Sequence, residues 1–326
     1  VKCVLLGTLA CEQRDRLAAK LTRPARLVPQ PDDTPTDRLA NELADAKAIV
    51  TMRYDRSMPP APRLELLHVG GAGYDAIDLG YLASGAVVCN AFGHDIPIAE
   101  YVILAMLQWC TRFMEAERSF RVEGSWRLGG RTAGPLQDEL AGKTVGILGL
   151  GQIGRALAPR AKAMGTTVVA VTRTAGRTVP GVDRLFGMDR LDDMLRVADF
   201  VVICSALTAE TENLLDAARL ARCKDTAVLI NVSRGPIVEE RALYHALREK
   251  AIGGAIIDAW YRYPTRDDLT IPPSDYPFHQ LDNVYMTPHT SAWTLPMIER
   301  RWSTVAANLD RITTGEPFEN VVFRAP

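Results

Sequence analysis

The segment Thr144–Gly165, TVGILGLGQIGRALAPRAKAMG, constrains this chain more than any other. An apolar run, Val145 to Leu148, enters the triplet Gly149-x-Gly151-x-x-Gly154. An apolar-periodic stretch follows (Ile153, Leu157, Ala161, Met164) and stops at Gly165. Strand, tight turn and helix in that order form the context that separates a dinucleotide site from a glycine-rich βα turn of an unrelated α/β protein. The first glycine makes the turn, the second lets backbone approach a pyrophosphate, and the third packs helix against strand. Free N–H groups at the helix start then hold phosphate. Gly149, Gly151, Gln152, Ile153 and Gly154 are therefore assigned to cofactor binding. The motif begins 149 residues into the chain, so something else comes first.

That something has the same character. Before residue 95, short apolar runs (Val4–Leu6, Ala48–Met52, Leu66–Val69, Val87–Asn90) alternate with amphipathic segments at Glu12–Leu21 and Asp37–Ala46. Alternating β and α elements predict a parallel sheet with helices on both faces. Ile96 to about Glu123 reads as one long helix, either spanning between domains or packing in a dimer. Beyond Gly149, strands are expected at Thr167–Val171, Asp199–Cys204, Ala227–Val232, Gly254–Ile257 and Asn283–Met286. A helix is expected over Trp293–Thr313, and an extended tail, Phe318–Phe323, returns to the N-terminal domain. The fold expected is α/β: a Rossmann cofactor domain (99–289) inserted into a discontinuous flavodoxin-like substrate domain (1–98 and 290–326).

The 326 residues suit two domains of ordinary size. With 47% hydrophobic and 24% charged residues and a net charge of −1, nothing favours nucleic acid or an anionic membrane as partner. Six scattered cysteines form no C-x-x-C or Cys/His cluster. They read as reduced thiols of a cytoplasmic protein, with no metal site. The opening VKCVLLGTLAC has an apolar part only about as long as a minimal signal core, and charged residues follow at once; it reads as a first strand.

The residues after the second Rossmann strand bear on the cofactor. In NAD sites an Asp or Glu about 20 residues past the glycines holds the ribose 2′-hydroxyl. Here the strand ends in Val171-Thr172-Arg173-Thr174, and no Asp or Glu lies between Arg155 and Val182. Arg173 and Arg177 stand where a 2′-phosphate would lie, and guanidinium pairs well with phosphate. The expectation is NADP rather than NAD, held by Thr172, Arg173 and Thr174; the alternative is that these arginines are solvated loop charges.

Three later segments carry reactive side chains: Asn231–Gly235 at the end of a strand, Asp258-Ala259-Trp260-Tyr261-Arg262-Tyr263-Pro264, and Thr287-Pro288-His289-Thr290-Ser291-Ala292 past another strand. With Gly71-Ala72-Gly73-Tyr74-Asp75, Asn90, Ala99-Glu100, the glycine triplet and Leu207-Thr208-Ala209-Glu210-Thr211, the chain resembles the D-isomer-specific 2-hydroxyacid dehydrogenases over nearly its whole length. The resemblance implies hydride transfer between NAD(P) and a small 2-keto or 2-hydroxy acid. Arg234 would bind the substrate carboxylate and polarise the keto oxygen, and backbone N–H groups of Ala72 and Gly73 would hold the carboxylate. His289, with a reference pKa of ~6.5, would be the acid–base group. Asp258 would anchor the nicotinamide carboxamide; Ser205, Ala206 and Val232 would line the cofactor cleft, with His289 and Ser291 beside it. The resemblance also implies a homodimer through the region after residue 97, which includes Trp126.

One position departs from the pattern. Most members place a glutamate immediately before the proline, where it pairs with the catalytic histidine; here Tyr263 precedes Pro264. A phenol, neutral up to a pKa of about 10, cannot raise the histidine's pKa as a carboxylate does. Either Tyr263 orients the imidazole instead, or Asp267 or Asp268 replaces the glutamate, or catalysis is weak. In the last case the protein is a nucleotide-responsive binding module, like the transcriptional corepressor known in this family. The residues expected to wall the pocket (Arg53–Asp55, Phe92–Ile96, Trp260–Tyr263, Trp293) are rich in aromatics and suggest a substrate larger than glyoxylate.

Overall fold

The computed structural model describes residues 1–173, 178–264 and 268–326. The chain divides into two compact units, Val1–Gly93 with Thr294–Pro326, and His94–Trp293.

The first unit opens with β1 (Lys2–Leu6), α1 (Thr8–Glu12), α2 (Arg14–Lys20), β2 (Arg26–Gln30), α3 (Thr36–Leu43), β3 (Ala48–Thr51), β4 (Leu66–Val69) and β5 (Val87–Cys89). Every residue of β3, β4 and β5 is buried, as expected of parallel strands covered on both faces. The stretch Glu12–Leu21 is not one helix but the end of α1 and all of α2, joined at Gln13. β2 escapes the sequence pattern because it carries Pro29; it lies at the sheet edge, where proline is tolerated.

The second unit begins with α4 (Asp95–Thr111) and α5 (Phe113–Glu123). The single helix expected from Ile96 to Glu123 is broken at Arg112, which adopts left-handed φ 49° and ψ 34°. The Arg112 amide donates to Gln108 O at 2.9 Å, and its guanidinium pairs with Glu115 in the next helix. A one-residue link barely disturbs the apolar spacing, so periodicity alone conceals the break. There follow β6 (Thr144–Leu148), α6 (Gln152–Ala163), β7 (Thr167–Val171), β8 (Arg184–Phe186), α7 (Leu191–Val197), β9 (Phe200–Ile203), α8 (Ala217–Leu220), β10 (Val228–Asn231), α9 (Glu240–Arg248), β11 (Gly254–Ile257) and β12 (Val284–Met286). These seven strands form one parallel sheet in the order β12-β11-β10-β9-β6-β7-β8. The order reverses between β6 and β9, and ligands of such sheets bind beyond the strand carboxyl ends at that reversal.

The chain then returns to the first unit. Thr294 caps α10 (Leu295–Thr314), accepting from the Met297 amide at 3.4 Å, and β13 (Val321–Arg324) pairs antiparallel with β5. The completed sheet runs β13-β5-β4-β3-β1-β2, a flavodoxin-like order with one antiparallel edge. Glu299 of α10 binds Arg16 and Lys20 of α2, each at 2.6 Å, and Asp310 accepts from the Thr22 amide at 2.9 Å. Asn308 of α10 donates to His68 of β4 at 3.0 Å.

Candidate active site

The three glycines after β6 meet different surroundings. Gly149 has φ 100°, and a Cβ there would lie 2.7 Å from the Ser205 amide nitrogen. A Cβ on Gly154 would lie 2.2 Å from the Gly149 carbonyl oxygen. A Cβ on Gly151 would meet nothing within 4 Å. Turn geometry and packing thus explain two of them, while the third keeps a space clear. Gly151 caps α6, whose first turn, from Gln152 and Ile153, holds no acidic residue to repel an anion. Ser205 Oγ is buried without a hydrogen-bond partner, and the Ser233 hydroxyl donates to the Ser205 carbonyl, tying the ends of β9 and β10 together. Ala206 O accepts from Thr211 Oγ1 at 2.7 Å, which holds the turn after Ser205; Val232 is buried past β10. A clear space, a helix start without acids and an orphaned hydroxyl fit a dinucleotide.

At the end of β7 the Thr172 amide donates to Phe186 O at 3.1 Å, and Arg173 follows. Thr174 and Arg177 lie outside the described residues. The Glu210 carboxyl is held below its ordinary range by the Thr208 hydroxyl first and, more weakly, by the charge of Arg173. A carboxylate from the loop after β9 therefore comes within the field of Arg173. The acid-free stretch between Arg155 and Val182 concealed this, because the acid arrives from a distant part of the sequence.

The segment after β12 is organised by Asp258, which is 1% exposed at the end of β11. Its Oδ1 accepts from Thr287 Oγ1 at 2.6 Å and the Thr290 amide at 2.8 Å; its Oδ2 accepts from the Ser291 amide at 3.0 Å. Because Thr287 Oγ1 spends its proton on the carboxylate, Tyr101 Oη of α4, 2.7 Å away, donates to it. Trp260 Nε1 donates to Thr287 O at 2.8 Å. Within this frame His289 adopts φ 57°, a left-handed conformation uncommon outside glycine. Asp258, expected at the nicotinamide, spends these three bonds on the loop that carries His289. Trp260, expected as a pocket wall, is buried and serves the same loop.

Tyr263 Oη lies 2.8 Å from His289 Nδ1 and accepts the Trp260 amide at 3.1 Å. Its phenol is pushed up chiefly by burial, against smaller downward effects from the Trp260 amide and the Arg234 charge, so it stays neutral around neutral pH. Asp268, weighed as a replacement for the glutamate, accepts from the Thr270 amide at 2.9 Å and its hydroxyl at 2.6 Å; Asp267 lies outside the described residues. Arg234 follows β10. Asn231 Nδ2 donates to its carbonyl at 3.0 Å, and its own Nη1 donates to Ser233 O at 3.0 Å. A Cβ on Gly235 would lie 2.5 Å from the Trp260 carbonyl, so the Arg234 turn rests directly on the Trp260–Tyr261 backbone. Arg234, Asp258, Tyr263, His289 and Ser291 are thereby gathered in the second unit.

Ala72 and Gly73 belong to the first unit. Asn90 Nδ2 donates to Ala72 O at 2.7 Å and the Ala91 amide donates to Gly71 O at 2.9 Å, which fixes this turn beyond β4. A cavity of about 470 Å³ opens at the carboxyl ends of β1 and β3, lined by Thr8, Asp32, Thr51, Met52 and Arg53 among others. Arg53 pairs with Asp55 at 2.6 Å. Among the described residues, no helix is long and apolar enough to cross a membrane.

Two α/β units, one with a glycine turn suited to a dinucleotide and a framed histidine, fit the class of nucleotide-dependent oxidoreductases. The family model for the D-isomer-specific 2-hydroxyacid dehydrogenase NAD-binding domain matches residues 103–291. The glyoxylate reductase of Thermococcus onnurineus is 33% identical over 291 residues, covering 85% of this chain and 83% of that one. A D-isomer-specific 2-hydroxyacid dehydrogenase family protein from Aeromonas salmonicida superposes with a TM-score of 0.81 at 26% identity, over 99% of this chain and 98% of that one. NAD-dependent formate dehydrogenase from Staphylococcus aureus, solved with NAD, gives 0.76 at 25% identity over the full length of both. The chain belongs to the D-isomer-specific 2-hydroxyacid dehydrogenase family. It is an NAD(P)-dependent oxidoreductase acting on CH–OH groups.

Proposed function

We propose that this enzyme interconverts a 2-keto acid and the D-2-hydroxy acid, with NADP as preferred cofactor. The observation that carries the reading is the framed His289, its Nδ1 engaged by a neutral phenol and its loop clamped by Asp258. Bound nicotinamide supplies or accepts the hydride. With Nδ1 given to Tyr263, His289 exchanges its proton with the substrate oxygen through Nε2, as acid in reduction and as base in oxidation. Arg234 binds the carboxylate and stabilises negative charge growing on the keto oxygen; the amides of Ala72 and Gly73 also bind the carboxylate. Gly149, Gly151, Gln152, Ile153 and Gly154 hold the pyrophosphate, and Ser205, Ala206, Val232 and Ser291 line the cofactor site. Thr172 and Arg173 receive the adenosine ribose, with the 2′-phosphate on Arg173. Asp258 acts by positioning His289.

A screen of 2-keto acids with NADPH and NADH tests this reading. The expected result is NADPH oxidation yielding the D-hydroxy acid, abolished by His289→Asn and by Arg234→Gln. Absence of turnover across the panel while nucleotide still binds overturns it.

We further propose a homodimer built on α4 and α5. Leu104, Phe113, Met114, Phe120 and Trp126 are all more than half exposed there, an apolar surface that a second copy would cover. Sedimentation equilibrium should give twice the monomer mass, and Phe120→Glu should reduce it to the monomer.

A further inference from the structure

Arg301 sits on α10, in the first unit, with no counter-ion. Its Nε is buried without a hydrogen-bond partner, and among the described residues no carboxylate pairs with it. Partial burial pushes its guanidinium down to about 10, the direction expected of a cation that loses part of its water with no carboxylate beside it among the described residues. Acids elsewhere on the helix are committed: Glu299 to Arg16 and Lys20, and Asp310 to the amides of Thr22 and Arg23. Its neighbour Arg300 has a partner, donating to Gly93 O through Nε at 3.2 Å and Nη2 at 2.6 Å. The residue as a whole is half-buried, with its Nε enclosed; a cation that gives up part of its water is ordinarily paired, so the missing anion requires an explanation.

The direction of the side chain supplies one. Arg301 Nη1 lies 3.8 Å from where a Cβ on Gly71 would be, and the Met52 methyl lies 3.1 Å from the same point. Gly71 directly precedes Ala72 and Gly73, the amides assigned above to the substrate carboxylate, and Met52 lines the cavity beyond β1 and β3. Glycine at 71 thus keeps that point clear beside the guanidinium. A carboxylate offers about four acceptor sites, and in the function proposed above these are assigned to the amides of Ala72 and Gly73 and to Arg234. An additional guanidinium at this turn therefore addresses a different anionic group.

We propose that Arg301 binds the second anionic group of a doubly charged 2-keto acid, a distal carboxylate or phosphate, and so sets the enzyme's substrate preference. This rests on the reading of Ala72 and Gly73 as carboxylate donors.

The test compares kcat/KM for oxaloacetate, 2-oxoglutarate and 3-phosphohydroxypyruvate with that for pyruvate and 2-ketobutyrate, in the wild type, Arg301→Met and Arg301→Lys. Wild-type enzyme should prefer at least one dianion by about tenfold or more, carried in KM, as a charge-assisted bidentate contact provides. Which dianion is preferred separates carboxylate from phosphate. Arg301→Met should bring the ratio close to one, and Arg301→Lys should restore part of it. A wild-type ratio near one, or an unchanged ratio in Arg301→Met, overturns the proposal. Calorimetric binding of D-malate against D-lactate to the nucleotide-loaded protein gives the same ratio without turnover. Failure of the activity reading is thereby distinguished from failure of the Arg301 assignment.

Discussion

Tyr263 Oη lies 2.8 Å from Nδ1 of His289, with the ring centroids 5.3 Å apart and the planes inclined at 66°. The phenol thus contacts the imidazole without the charge that a carboxylate would bring. A carboxylate here would favour the imidazolium, which is the proton donor for ketone reduction. Tyr263→Glu should therefore shift the alkaline limb of the reduction kcat/KM profile to higher pH by about one unit or more. Tyr263→Phe should lower kcat by about tenfold through lost orientation. An unmoved pH profile in Tyr263→Glu would show that residue 263 does not act on His289.

Asp258 clamps the segment Thr287–Ser291 with two backbone and one hydroxyl hydrogen bonds. Asp258→Asn turns an amide NH2 toward at least one of those N–H donors, costing about 2–4 kcal/mol of local order. The expected outcome is a lower Tm and a kcat reduced by about a hundredfold, with nucleotide affinity changed far less. Equal losses in kcat and in NADPH affinity would indicate that Asp258 holds the nicotinamide itself.

Gly151→Ala and Gly154→Ala separate two uses of one motif. A methyl at 154 collides with the Gly149 carbonyl, so this variant should be destabilised and express poorly. A methyl at 151 meets no protein atom within 4 Å, so this variant should melt like the wild type yet bind nucleotide at least about tenfold more weakly. Calorimetric titration with NADPH and a thermal melt decide the comparison.

The wild type should show a clear kcat/KM advantage for NADPH. Thr172→Asp, which supplies a ribose carboxylate and repels the 2′-phosphate, should erode it. Parallel kinetics with NADH and NADPH check this; equal or better use of NADH by the wild type would count against the assignment of Arg173.

His68, fully buried on β4, is held well below its ordinary range, to about 4, by burial. Asn308 Oδ1 accepts the Glu319 amide and Nδ2 donates to His68 Nε2, so His68 carries its proton on Nδ1 and donates to Val69 O. Because the unfolded chain binds this proton more readily, the stability contribution is complete above pH ~6.5 and is lost as pH falls toward 4, by up to ~3 kcal/mol. Urea titrations from pH 7.5 to 5 should show this slope, and His68→Gln should flatten it. Parallel slopes in the two proteins would refute the assignment.

The sequence by itself determined the two α/β halves, the dinucleotide turn and the late position of that turn. Each of these depends on local rules: glycine spacing, apolar runs and the alternation of strand with helix. The break at Arg112 was not legible, because a single left-handed residue leaves the helical periodicity nearly intact. The edge strand β2 was hidden by Pro29, and β8 because Arg184 leaves it only two apolar residues.

Only the tertiary structure decided how the polar residues are spent. Asp258 and His289 lie 31 positions apart in sequence, yet the carboxylate of one fixes the backbone around the other. Trp260 is tied to the same frame through Thr287, and Glu210 reaches the field of Arg173 from another strand end. Arg301 was not singled out from sequence, where it is one of two adjacent arginines on an amphipathic helix. Its significance lies in an Nε left without a partner among the described residues, which shows only once the chain is folded and the acids of its own helix are seen engaged elsewhere.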